Sequence, residues 1–88
     1  MKNKNETWVL VSKSGWILCY REPNETPQIG CEIPPYVLRS KYSAKANPSN
    51  VIKKHTKGEL IGTGIMEMWN KYSAFDKMKV EPQKFVIS

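Results

Sequence analysis

Two apolar runs near the start of the chain, Trp8-Val9-Leu10-Val11 and Trp16-Ile17-Leu18-Cys19-Tyr20, constrain the fold more than any other feature. Both are rich in β-formers, and Ser12-Lys13-Ser14-Gly15 between them is turn chemistry, so they read as a β-hairpin. Neither run alternates apolar with polar residues. A strand with one wet face alternates, so these strands need cover on both faces. The expected cover is helices on one face and the chain's own tails or a second copy on the other, which leaves a homodimer open.

Glu22 to Pro27 holds two prolines that cannot donate to a ladder and reads as a loop. Residues 29–33 are expected to form a third short strand ended by Pro34-Pro35, and Tyr36-Val37-Leu38-Arg39 is either extended or a turn of helix. Asn47 and Pro48 match an N-cap and a first helical position, and Gly58 suits a left-handed C-terminal residue; together they predict a helix over 48–57. On a helical wheel Val51, Ile52 and His55 form its apolar edge, and Lys53, Lys54 and Lys57 form a lysine face. A second helix follows Gly62-Thr63-Gly64 and ends near Phe75, with Ile65, Met68, Trp69, Tyr72 and Phe75 within about 120° as a core-facing stripe. Met66 and Met78 fall off that stripe and are expected to be exposed. The tail from Lys84 is strand-like and suits a sheet edge. The fold class that follows is α+β: a small antiparallel sheet, the N-terminal hairpin plus one or two short strands, packed against two short helices.

At 88 residues the chain is expected to be one compact domain, 1–88, with residues 1–6 flexible, able to bury only about 60 to 65% of its unfolded surface. An apolar fraction of 40% places it among ordered rather than disordered chains. No apolar run approaches the roughly 18 residues a bilayer span needs, so no membrane partner is expected. Met1-Lys2-Asn3-Lys4 carries the charge of a signal-peptide start, but no uninterrupted apolar stretch follows, which predicts a cytoplasmic location. A short chain this rich in lysine and asparagine suits a bacteriophage or a low-GC bacterium.

Cys19 and Cys31 are the only cysteines, with no Cys-x-x-Cys and a single histidine, His55, so neither a metal site nor a cofactor is expected. The thiols could bridge on neighbouring strands. Inside a cell, two reduced and half-buried small hydrophobes are the expectation.

Charge is distributed unevenly. Residues 33–58 contain Arg39, Lys41, Lys45, Lys53, Lys54 and Lys57 and no acid, so the whole formal excess of +6 lies there and the rest of the chain is neutral. Lysines on a surface usually serve solubility, but a solubilising surface mixes both signs, and only here are they segregated. Tyr36, Tyr42, Asn47, Asn50 and His55 lie among these cations and can stack or hydrogen-bond. The expected role is a non-catalytic module whose segment 33–58 meets nucleic acid mainly through phosphates, at Arg39, Lys41, Tyr42, Lys45, Lys53, Lys54 and Lys57. With 12 Lys against 2 Arg, backbone contact is favoured over base reading, because lysine is a point charge.

Two other readings compete. A small inhibitor or adaptor would dock the same lysines on an acidic protein surface. A ribonuclease would use His55, the single histidine, as its general base, but no second acid or base can be named. The glycines of 58–64 match no phosphate-binding motif and read as a helix-to-helix break.

Overall fold

The computed structural model describes residues 6–86. β1 (Glu6–Ser12) and β2 (Ile17–Tyr20) form the hairpin, with the Gly15 amide donating to the Ser12 carbonyl at 2.9 Å to close the turn. β3 (Tyr36–Arg39) pairs antiparallel along all of β2, from Ile17 opposite Arg39 to Tyr20 opposite Tyr36. β1 and β2 pair only where Val11 faces Ile17 and then diverge. Residues 51–54 enter the gap: Val51 bridges Cys19, the Ile52 amide donates to the Leu18 carbonyl at 3.3 Å, and β4 (Lys53–Lys54) pairs with Val9 and Trp8. β5 (Val80–Val86) lines the other edge of β1, from Glu6 opposite Val86 to Ser12 opposite Val80. β1 is therefore paired on both edges.

Three helices cover this five-stranded antiparallel sheet. α1 (Lys41–Ala46) starts at Ser40, whose hydroxyl accepts from the Ser43 amide at 3.2 Å. α2 (Lys57–Gly62) starts at Thr56, whose hydroxyl accepts from the Glu59 amide at 3.1 Å, and α3 (Ile65–Tyr72) follows after Gly64. Such caps satisfy helix N–H groups that have no partner within the helix.

The apolar residues form two cores, one on each face of the sheet. Leu10, Leu18, Leu38 and Ile52 pack with Leu60 of α2 and Ile65 and Trp69 of α3. Val9, Val11, Ile17, Cys19 and Val51 pack with Ala44 of α1 and Phe85. Neighbours along β1, β2 and 51–52 thus go to opposite faces, the period-2 geometry of a strand buried on both sides. The second cover is α1, a helix of the chain itself, rather than its tails or a second copy. Trp69 is fully buried and its indole N–H donates to the Met78 carbonyl at 2.7 Å. Asn70 pins the start of β5 by accepting from the Val80 amide at 2.8 Å and donating to its carbonyl at 3.1 Å.

Several sequence expectations are corrected. Residues 29–33 form no strand: the Cys31 amide donates to the Gln28 carbonyl at 3.0 Å in a tight turn, leaving Ile29 at 86% and Ile33 at 70% exposed. The helix over 48–57 is absent. Asn47-Pro48 opens only a 3-10 turn, Pro48–Asn50, because Val51 and Ile52 are claimed by the two cores, and His55, expected on a packing edge, is exposed. Gly58 lies in the first turn of α2, and the left-handed glycine of the break between α2 and α3 is Gly64, with φ of 74°. The second helix ends at Tyr72 rather than near Phe75; of the expected stripe Ile65 and Trp69 are buried, while Met68 and Tyr72 on α3 and Phe75 beyond it stay partly exposed. Met78 is a core residue and Met66 packs against that core, the reverse of expectation. Of the segment 1–6 expected to be flexible, Glu6 opens β1 and residues 1–5 lie outside the described residues, as do 87–88 of the tail.

Cys19 and Cys31 are both free and buried, in opposite cores, so the sheet separates them and no bridge joins them. Burial pushes the Cys19 thiol up to about 11 and raises that of Cys31. Neither thiol should react with an aromatic disulfide reagent at neutral pH until the protein unfolds, and rapid native labelling of either would contradict this packing. A raised thiol pKa stabilises the fold in full below the ordinary value of 9.0, and that share is lost as pH rises through about 11. The glycines give a second prediction. A Cβ at Gly58 meets nothing within 4 Å at an ordinary φ, so Gly58→Ala should stabilise by about 0.5 to 1 kcal/mol in urea melts. Gly64→Ala should destabilise by about 1 to 2 kcal/mol, because L residues are strained at positive φ.

Candidate nucleic-acid interface

The chain from 33 to 58 runs from one face of the sheet, through it, to the other. It supplies β3, crosses one face as α1, threads the sheet as β4 and emerges on the opposite face at the start of α2. Its cations are divided accordingly.

On the α1 side lie Lys41, Tyr42 and Lys45 of α1 and Lys53 of β4. Tyr42 is 88% exposed. Lys45 is in the last turn of α1, where the helix dipole favours a cation, with its Nζ 5.8 Å from the centre of the Phe85 ring. Lys53 pairs with Val9, whose side chain enters the α1-side core, and its Nζ donates to the Pro48 carbonyl at 2.7 Å. Arg39 is on the same face and is engaged. Its Nη2 lies 2.6 Å from Glu25 Oε1 and donates to the Tyr20 carbonyl at 3.3 Å. Arg21 Nη1 donates to the Glu25 carbonyl at 3.0 Å, so both arginines of the chain clamp the 22–27 loop. The Glu25 carboxyl is held below its ordinary range first by the Glu22 amide, 3.0 Å away, and then by Arg39.

On the α2 side lie Lys54 and Lys57. Lys54 pairs with Trp8 on β1, and Trp8 pairs on its other edge with Lys84 of β5. Directly opposed residues of antiparallel strands point to the same face, so Lys54, Trp8 and Lys84 form one cross-strand row. Trp8 packs partly against the α2-side core, and Lys84 Nζ stands 5.8 Å from the centre of its ring. Beside this row is a cleft of about 420 Å³ lined by Glu6, Trp8, His55, Thr56, Lys57 and Lys84 among others. Glu6 meets Lys84 at 3.4 Å.

Among the described residues the ion pairs are Arg39 with Glu25, Lys79 with Asp76, and Lys84 with Glu6. Lys41, Lys45, Lys54 and Lys57 are exposed and take no part in them. The lysine face expected of a 48–57 helix is split, because Lys53 and Lys54 are consecutive strand residues and point to opposite faces. Sequence reading assigns Trp8 to the core rather than to a recognition surface and misses Lys84 as a candidate site residue, whereas Trp8 is only partly buried. The two residues meet through β1–β5 pairing across most of the chain, and no local pattern signals that juxtaposition.

Compared with protein-family models, curated proteins and solved structures, the chain matches none. No described helix is long and apolar enough to cross a membrane.

The Arg39–Glu25 clamp yields a prediction. Its side chains are only 19% and 29% exposed, so Glu25→Gln should cost about 1 kcal/mol at pH 7. A depressed carboxyl stabilises above its ordinary value of 4.5, and that stability is lost as pH falls through the folded-state pKa. The gap between wild type and variant in urea melts should therefore close on acidification; a gap constant with pH would show that the charge is not what holds the loop.

Proposed function

We propose that the protein is a non-catalytic binding module whose basic segment, residues 33–58, contacts nucleic acid mainly through phosphates. The observation that carries this reading is that Lys41, Lys45, Lys54 and Lys57 are exposed and outside every ion pair among the described residues, although the chain has eight acids. Unpaired surface cations in excess attract polyanions and release the counterions condensed on them. The planar forks of the two arginines, which read base edges best, are taken up by the Glu25 loop. The remaining cations are lysines, which grip a backbone without reading sequence. With Arg39 engaged, the phosphate contacts pass through the lysines, with Tyr42 beside them.

A second reading, docking on another protein, is favoured by one observation. A groove of about 510 Å³ runs between Ile33, Pro34 and Pro35 and the exposed side of α3 at Met68 and Tyr72. Apolar side chains there are arranged as at a contact surface rather than scattered. Among the described residues the one carboxylate lining the cleft with His55 is Glu6, and it is paired with Lys84, which gives the ribonuclease reading no support.

Titration of labelled DNA and RNA oligonucleotides at two salt concentrations tests the proposal. With about four phosphate contacts, affinity should fall on the order of fiftyfold to a hundredfold between 50 and 200 mM salt. Lys41→Glu with Lys45→Glu, and separately Lys54→Glu with Lys57→Glu, should each weaken binding in protein that still melts cooperatively, the first pair with a modestly lower melting temperature because it loses the Lys45 contacts to the helix end and the Phe85 ring. Binding absent at low salt, or indifferent to both pairs, would leave the protein-docking reading in its place.

A further inference from the structure

We propose that the cleft beside Trp8 holds one base of a single-stranded nucleic acid, stacked on the Trp8 ring, with the adjoining phosphate on Lys57 and Lys84. This inference rests on the phosphate-contact reading and names the form of nucleic acid it would take. The supporting observations add to the cations of 33–58 an aromatic ring and a lysine from outside that segment. Trp8 is the central residue of a row with Lys54 on one side and Lys84 on the other, and Lys84 comes from the opposite end of the chain. The cleft of about 420 Å³ lies within the roughly 300 to 1,000 Å³ usual for small-ligand sites. Among the described residues, Lys54, Lys57 and Lys84 outweigh the one carboxylate, Glu6, so the surroundings of the ring stay cationic.

The indole is fixed on one side by the core, which lowers the ordering cost of a stacking platform. Its present neighbour is the Lys84 ammonium. A cation over an aromatic ring at a solvent-exposed site is worth about 0.5 to 1 kcal/mol, whereas a stacked base is worth about 1 to 3 kcal/mol. A base should therefore replace the ammonium over the ring, and Lys84 then has a phosphate within reach on the same ligand. A base inside a duplex is already stacked on both faces and has none to offer, so the cleft selects unpaired strands.

Tryptophan fluorescence tests this in Trp16→Phe protein, where Trp8 and the buried Trp69 remain as emitters. Short oligothymidylate and oligouridylate should quench the emission, and a DNA duplex bound by the lysines should not. Trp8→Leu should weaken single-strand binding about tenfold and leave duplex affinity unchanged. Lys84→Gln, which leaves the ring in place, should weaken single-strand binding as well and guards against misfolding of the tryptophan variant. Single strands that bind with emission unquenched and with affinity unchanged in Lys84→Gln would overturn the cleft while leaving the phosphate reading intact. Failure of every oligonucleotide to bind would overturn both.

Discussion

The fold depends on β1 being apolar on both faces. Val9, Leu10 and Val11 are each nearly inaccessible, with Leu10 directed to one core and Val9 and Val11 to the other. At about 25 cal/mol per Å² of apolar surface, leaving either face wet would forfeit several kcal/mol, comparable with the whole stability of so small a domain. Both edges of β1 must be paired as well, since its buried amides and carbonyls have no water to bond. β5 satisfies one edge. On the other, β2 peels away after Val11, and 51–54 has to enter the gap. The N-terminal hairpin, the mid-chain segment and the tail are thereby locked into a single sheet.

That requirement also disperses the charge. A stretch that leaves one face, threads the sheet and emerges on the other cannot keep its cations on one side. Lys53 and Lys54 illustrate the point: adjacent in sequence, one reaches the Pro48 carbonyl and the other flanks Trp8 across the sheet. Charge concentrated along the chain has become two smaller cationic surfaces, and the second of them recruits Lys84 from outside the segment. A ligand long enough to touch both would have to pass around an edge of the domain, which a flexible single strand does more readily than a stiff duplex.

How far the sequence revealed this varies with the range of the interaction. The hairpin was legible because two β-rich runs flank a glycine turn, but of β5 only the part from Lys84 was, because Pro82 masks the first half of a strand that begins at Val80. The helix expected over 48–57 failed because Asn47-Pro48 is a local signal satisfied by a single 3-10 turn, whereas Val51 and Ile52 obey a tertiary demand. A better local signal was present: Thr56-x-x-Glu59 is the spacing of a capping box and marks the true start of α2. The Ile29–Ile33 segment looked strand-like by composition, but the chain turns tightly at Gln28–Cys31, the Gln28 side chain takes the outer Leu38 amide of β3, and Arg21 and Arg39 hold the preceding loop through Glu25. Of the candidate site, the lysines were legible one by one. Their division, and the pairing of Trp8 with Lys54 and Lys84, follow from contacts that only the folded chain makes.

The contrast between its arginines and lysines bears on what the molecule could recognise. Arg21 and Arg39 face inward to Glu25 and to main-chain carbonyls, where a fork of fixed donors gains most from partial burial. The lysines keep strongly hydrated ammonium groups on flexible stems, so each can follow a phosphate whose position varies. A surface built this way tolerates many sequences. In the proposed role selectivity would come from shape, as in the cleft at Trp8, where an aromatic face accepts every base almost equally. Under the proposed role, the arrangement would favour discrimination between paired and unpaired strands over discrimination among sequences.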